Sequence, residues 1–225
     1  MGCTVTAHAL GSHEDTNWET PPHIYKVLDD EFHFALDPCC NLDNQKAHLG
    51  YGAYSHGAPF ADTATILPDG RIHISIDGLN ADWDVGGAVF INPPYSKSKA
   101  TSDDTGTEMW MQKAVDWLQK GVTIVMLVGA NTSTDYFQDY ALKYADEIRF
   151  VNKRIAFMMN GIPKKSPTKN SMIVVFRPGK IGGYPRISGW NQPDSGVKQK
   201  RARVGKKALP EIAKRDDFNV WGAPV

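Results

Sequence analysis

The chain has 225 residues, 41% of them hydrophobic, which is enough for one compact domain with a full core. Lys plus Arg balance Asp plus Glu at 25 each, so a uniformly basic polyanion binder is excluded and any nucleic-acid contact must come from local patches. Cys3, Cys39 and Cys40 form neither a disulfide framework nor the paired spacing of a zinc site, so no metal is expected. With no signal-like N-terminus and no apolar run near the ~20 residues of a membrane span, the expectation is a soluble, cytoplasmic protein without membrane contact.

Residues 1–17 read as a flexible N-terminus. Thr20 is expected to cap a first helix with Pro21 in its opening turn, and Ile24, Val27, Leu28 and Phe32 give the apolar stripe. His33 to Asp37 reads as a short strand stopped by Pro38. Asn41 to Asp69 has poor periodicity and reads as a long irregular excursion with a turn at Pro68-Asp69-Gly70. Arg71 to Ile76 alternates with period two, predicting a strand with one buried face, and Ala88 to Ile91 is apolar throughout, as in a strand buried on both faces. Lys97 to Thr107 reads as a loop. A helix follows over Glu108 to Lys120, stopped by Gly121, and then a strand over Val122 to Val128. Ser133 is expected to cap a helix whose inner stripe is Phe137, Tyr140, Ala141 and Tyr144. Strands at Ile148–Val151, Ile155–Met158 and Met172–Phe176 complete the set, the last two as an antiparallel hairpin at one edge. Strands alternating with helices predict an α/β sandwich with a mostly parallel sheet. The domain is expected to span residues 18–178. Beyond it lies a Gly/Pro/Lys-rich tail, poorly ordered in the free protein, with six basic and no acidic residues from Lys198 to Lys207.

Asn92-Pro93-Pro94-Tyr95 ends the most apolar strand, and ligands of open α/β sheets bind beyond the carboxyl ends of strands. Two prolines fix the backbone and remove two donors, Asn adds an acceptor, and Tyr adds a flat aromatic face. That set suits a planar amino group such as that of adenine. The Asn92 side-chain oxygen and the Pro93 carbonyl would accept its two protons while Tyr95 stacks on the ring, aiming the nitrogen lone pair at an electrophile. The help would come from alignment and preorganised dipoles. Asn-Pro is also a common turn starter, so a plain tight turn is the alternative reading of the tetrapeptide.

With its flanking segments, the chain resembles the DNA N-6-adenine methyltransferase family found in bacteriophages and prophages. Five ordered segments between Trp18 and Phe176 carry the resemblance: Trp18-Glu19-Thr20-Pro21, Phe34 to Cys40, Asp77-Gly78-Leu79 with Trp83, Phe90 to Ser96, and Arg154 to Phe157 followed by Asn170 to Phe176. The resemblance implies a Rossmann-like, S-adenosylmethionine-dependent methyltransferase fold. It implies methyl transfer to the N6 amino group of an adenine flipped out of double-stranded DNA, inside a bacterial or phage-infected cell, without an obligate protein partner. Asn92, Pro93, Pro94 and Tyr95 would be catalytic. Trp18, Thr20, Pro21, Asp37, Pro38, Asp77, Leu79 and Asn92 would hold the cofactor, Asp37 at its methionine portion and Asp77 at its adenine amino group. Strand-end capping by Asp37 and a turn role for Asp77 are the structural alternatives. The usual Gly-rich turn after the first strand is replaced by Pro38-Cys39-Cys40-Asn41, and Asp43 and Asp62 are weak candidates for a ribose-binding acid.

A target adenine must leave the stack to be methylated. Phe157 would then stack opposite Tyr95, or else it is hairpin core. Lys97, Lys99, Lys153, Arg154, Lys164, Lys165 and Lys169 would meet phosphates, and the tail, with Arg201 and Arg203, is a second basic candidate. The loop from Lys97 to Thr107 and the segment Asn160–Asn170 are placed to read the target. Two alternatives stand. One is the same chemistry on an RNA base or a protein glutamine amide; the other is a noncatalytic nucleic-acid-binding protein, which would not need Asn92, Tyr95 and the two acids.

Overall fold

The computed structural model describes residues 18–53, 58–94, 106–164, 169–179 and 183–194. Helix α1 (Pro22–Phe32) starts behind Pro21, which is its N-cap in extended conformation. Thr20 therefore does not cap the helix as expected. Pro21 takes that position instead, its carbonyl accepting the Ile24 and Tyr25 N–H groups, and Pro22 at the first helical position has no N–H to be satisfied. His33 closes α1 in the left-handed region, its N–H donating to Asp29 O, and β1 (Phe34–Asp37) follows directly.

Among the described residues nine strands form one sheet, and its most buried strands follow from their local sequence. Strand β5 (Ala88–Ile91) is buried at all four positions, and so is β10 (Ser171–Phe176) at all six; β6 (Ile124–Gly129) is buried at all but its last. On them the side chains alternate between two cores. Val89, Ile91, Met126 and Val174 join Trp83, Trp110, Met111 and Phe137 on one face, against α2 (Thr107–Gln119) and a π-helical turn, Tyr136–Ala141, that runs into α3 (Leu142–Tyr144). Ala88, Phe90, Val125 and Ile173 join Ile24, Leu28 and Phe34 beneath α1 on the other face. Period-two alternation on strands apolar throughout thus fills both layers.

The remaining sheet strands are β2 (Leu49–Tyr51), β3 (Ala64–Ile66), β4 (Ile72–Ile74), β7 (Glu147–Asn152) and β11 (Arg186–Asn191), giving the order β11-β7-β10-β6-β5-β1-β2-β4-β3. The β1–β2, β1–β5, β2–β4, β5–β6 and β7–β11 pairs are parallel; β3 and β10 run against their neighbours. The α/β architecture with a mostly parallel sheet is as expected. Among the described residues no helix is long and apolar enough to cross a membrane.

Several elements differ from expectation. The excursion from Asn41 to Asp69 contains β2 and β3, each only three residues long and ordered by pairing with β1 and β4; the turn at Pro68-Asp69-Gly70 joins β3 to β4, with Gly70 N–H donating to Leu67 O. On β4 the fully buried residue is His73, while Ile72 and Ile74 are half-buried. Ser133 sits in the turn before the π-helical segment and caps nothing, and Tyr144 is 41% exposed rather than inward. Strand β10 does not pair with Ile155–Met158. It inserts between β6 and β7, in register Ile173 to Leu127 and to Arg149. The hairpin lies apart, as β8 (Met158–Met159) with β9 (Ile162–Pro163). Beyond Phe176, where no strand was expected, β11 adds itself to β7 over six residues.

Candidate functional site

Strand order reverses between β1 and β5: β2 and β4 continue to one side of β1, and β6 continues to the other side of β5. Crevices beyond the carboxyl ends of strands at such a reversal are where α/β sheets bind ligands. Asp37 is the last residue of β1, and Asn92 follows directly after β5.

Asp37 is 3% exposed. Its Oδ2 accepts the Lys46 N–H at 3.0 Å, and the Cys39 N–H also bonds to it. Burial pushes its pKa up to about 6 against these bonds, which act to lower it. Pro38 is buried behind it. A Cβ on Gly78 would lie 1.8 Å from the Pro38 carbonyl oxygen. The Asp77-Gly78-Leu79 turn therefore rests directly on the strand end that carries Asp37, and only a glycine permits that approach.

That turn is held from three sides. Asp77 accepts the Leu79 N–H at 2.9 Å and the Asn80 Nδ2 at 2.6 Å. The Trp83 indole donates to Gly78 O at 2.9 Å. The Lys113 ammonium donates to Leu79 O and Ala81 O at 2.5 Å each and lies 4.9 Å over the Trp83 ring. Burial lowers the Lys113 pKa. Trp83 in turn stacks between Trp110 and Trp117, with centroids 6.1 and 6.4 Å away.

Asn92 is half-buried, and its Nδ2 donates to Trp18 O at 2.7 Å, which fixes the side-chain oxygen as the accepting side of the amide. Pro93 is buried; the Pro94 carbonyl accepts the Thr107 hydroxyl at 3.0 Å, tying the end of the motif to the start of α2. Trp18 is half-buried and carries the Lys164 ammonium 4.3 Å over its ring. Thr20 is 2% exposed, with a buried hydroxyl that has no hydrogen-bond partner among the described residues, and Pro21 is buried beside it. Glu19 bridges to Met158 through both backbone groups, and its carboxylate accepts the Gly161 N–H at 3.3 Å.

The structure thus gathers Asp37, Pro38, Asp77 and Leu79 into one group, and joins Trp18 directly to Asn92. Phe157 is 7% exposed and packs in the core beneath α1, directly before the β8–β9 hairpin. Lys153, Arg154, Lys164 and Lys169 are exposed, and Arg154 donates to Asn170 at 3.3 Å. Tyr95, Lys97, Lys99, Lys165, Arg201 and Arg203 lie outside the described residues. Asp43 sits in an exposed turn and Asp62 is exposed in the link into edge strand β3; β2 itself carries no acid.

Sequence reasoning missed Glu19, Gly78 and Lys113 as site-forming residues. Lys113 had a legible signal: it shares the stripe of Trp110, Ala114 and Trp117 on α2, where an unexplained lysine needs a partner. Also unforeseen is a buried polar cluster under the β1–β2 link. The His73 ring nitrogens face Gln45 Oε1 and Gly52 O at 3.0 Å each, while Gln45 Nε2 donates to Ala47, His48 and Ile72 carbonyls.

Fold and site together define a methyltransferase-like α/β protein. The chain belongs to the DNA N-6-adenine-methyltransferase (Dam) family, whose model matches residues 72–201. The matched stretch holds Asp77, the Asn-Pro-Pro-Tyr motif, β10 and β11, and begins after Trp18 and Asp37. No curated protein matches the sequence.

Proposed function

We infer that the protein transfers the methyl group of S-adenosylmethionine to the N6 amino group of an adenine flipped out of double-stranded DNA. The observation that carries this reading is the placement of Asn92: it follows the central strand at the reversal of strand order, with its amide turned by Trp18 O. S-adenosylmethionine supplies an electrophilic methyl group on a sulfonium sulfur. The residues present fit it. The buried Asp37 carboxylate, held above the ordinary range by desolvation, suits the ammonium of the methionine portion, because a close cation offsets that penalty. The orphaned Thr20 hydroxyl suits a polar ligand atom. Asp77 keeps a second lone pair on each oxygen for the cofactor's adenine amino group, and Trp18, Pro21, Pro38 and Leu79 would supply the apolar surroundings of the cofactor.

At the acceptor, the Asn92 side-chain oxygen and the Pro93 carbonyl take the two N–H bonds of the target amine, and Tyr95 stacks on the base. Both acceptors stand at the end of a buried strand, so they are preorganised and little reorganisation accompanies reaction. The proton leaves after the nitrogen has been alkylated, so no strong base is required. Lys97, Lys99, Arg154, Lys164, Lys165 and Lys169, with Arg201 and Arg203 of the tail, contact phosphates.

The test is transfer of labelled methyl from S-adenosylmethionine to unmethylated DNA, with the nucleosides resolved by mass spectrometry. The expected product is N6-methyldeoxyadenosine. Asn92→Ala should lower its formation by roughly 100-fold or more while cofactor affinity stays within about threefold. Label in RNA or protein but not in DNA would transfer the chemistry to those acceptors; no cofactor binding would overturn the roles of Asp37 and Asp77.

A further inference from the structure

The β8–β9 hairpin is short, with a polar turn and an apolar outer strand. Met158 pairs with Pro163 and Met159 with Ile162, leaving Asn160 and Gly161 as a two-residue turn with φ of 48° and 73°. Positive φ at both turn positions gives the tight twist that matches paired strands. Its outer strand presents Ile162, 69% exposed, next to exposed Pro163. A large aliphatic group in water on that strand adds nothing to the two cores.

Its anchoring ties the hairpin to the site. Glu19 and Met158 exchange two backbone hydrogen bonds of 2.9 Å, and Glu19 Oε1 accepts from Gly161 at the tip. The residue before Glu19 is Trp18, whose carbonyl holds Asn92. Two ladder spacings of about 4.8 Å each separate Glu19 from the outer hairpin strand. That is about 10 Å, half the ~20 Å width of a duplex whose major groove is ~12 Å across. Exposed Lys153, Arg154, Lys164 and Lys169 flank the hairpin, giving the charge that complements a phosphate backbone on either side of an inserted side chain.

We propose that the β8–β9 hairpin is a wedge that inserts Ile162, backed by Pro163, into the DNA stack beside the target adenine and holds the gap open while the base lies at Asn92. This rests on the reading of duplex DNA as the acceptor. Aliphatic and proline wedges that unstack a base step are an established device of DNA-bending proteins, and here the wedge is coupled through Trp18 and Glu19 to the residue that receives the base.

The experiment compares the full-length wild type with Ile162→Ser and Ile162→Leu on unmethylated plasmid DNA, as duplex and after heat denaturation. It also measures permanganate oxidation of thymines in the bound duplex, which reports unstacking opposite a flipped adenine. Ile162→Ser should lose about tenfold or more in kcat/KM on duplex, lose less than about twofold on single strands, and abolish the permanganate signal. Ile162→Leu should keep both. Wild-type duplex activity with an unchanged permanganate signal in Ile162→Ser would overturn the wedge alone. An equal loss on both substrates with the signal retained would also overturn it. A wild type that binds S-adenosylmethionine but methylates no DNA would overturn the acceptor reading, and the wedge with it.

Discussion

Asp37→Asn separates a binding role from a structural one, because the two have opposite consequences for stability. The carboxyl is 3% exposed, and its pKa is about 6 in the fold against an ordinary 3.8. The folded state therefore binds more protons than the unfolded chain between these values. Its contribution to stability is most favourable below about pH 3.8, falls as pH rises toward 6, and is fully lost above that. At pH 7 the buried charge costs on the order of 3 kcal/mol. Asn removes the charge but loses one backbone bond, since its amide nitrogen cannot accept, at about 1 kcal/mol. The net expectation is a protein about 2 kcal/mol more stable at pH 7, melting roughly 4–8 °C higher, with the advantage gone at pH 4. Urea unfolding followed by tryptophan fluorescence at pH 4, 5.5, 7 and 8 measures this. Calorimetric titration with S-adenosylmethionine should show affinity reduced about tenfold or more, as the ammonium loses its counter-charge. Parallel pH profiles for wild type and variant would refute the desolvation argument. A destabilised variant with unchanged cofactor affinity would leave Asp37 as a strand-end clamp.

Gly78→Ala should drive the acidic turn off the Pro38 carbonyl, since the new Cβ starts 1.8 Å from that oxygen; the expected loss is about 1–3 kcal/mol of stability and at least about tenfold in cofactor affinity, measured by melting and calorimetry. Gly189→Ala is the control: a Cβ there meets nothing within 4 Å, and stability should change by less than about 0.5 kcal/mol. At the opposite end of the sheet, Glu147 bonds Arg149, Arg177 and Arg186, and hydrogen bonding from Arg149 leads the causes that hold its pKa down at about 2 from 4.5. Its stabilisation is complete above pH 4.5 and disappears as pH falls through 2. Glu147→Gln should therefore cost about 2–4 kcal/mol at pH 7, with the two unfolding curves converging near pH 2; a constant difference across that range would refute the assignment.

What the sequence by itself determined is whatever its local pattern encodes. The apolar runs at Ala88–Ile91, Val122–Val128 and Met172–Phe176 are legible as strands, and Asn92-Pro93-Pro94 as the interruption of the first at its carboxyl end. The stripe of α2 and its stop at Gly121 (φ 92°) follow from the same local rules. Other features exist only through partners distant in the chain. Strands β2 and β3 are three residues each, too short to show a period, and are ordered by the hydrogen-bond ladders of β1 and β4. Period two told that β4 has two faces but not which one is covered: Gln45 and Gly52 set acceptors against the His73 ring, one of whose nitrogens donates, and so allow the polar face to be buried. A strand's order in a sheet carries no local trace, so the insertion of β10 between β6 and β7, and the addition of β11, were decided by tertiary pairing. The site divides in the same way. Asp37, Asp77 and Asn92 were readable as chemistry, whereas the contact of Gly78 with Pro38, the Lys113 clasp and the joining of Asn92 through Trp18 and Glu19 to a hairpin more than 60 residues on arise only when the sheet brings its strand ends together.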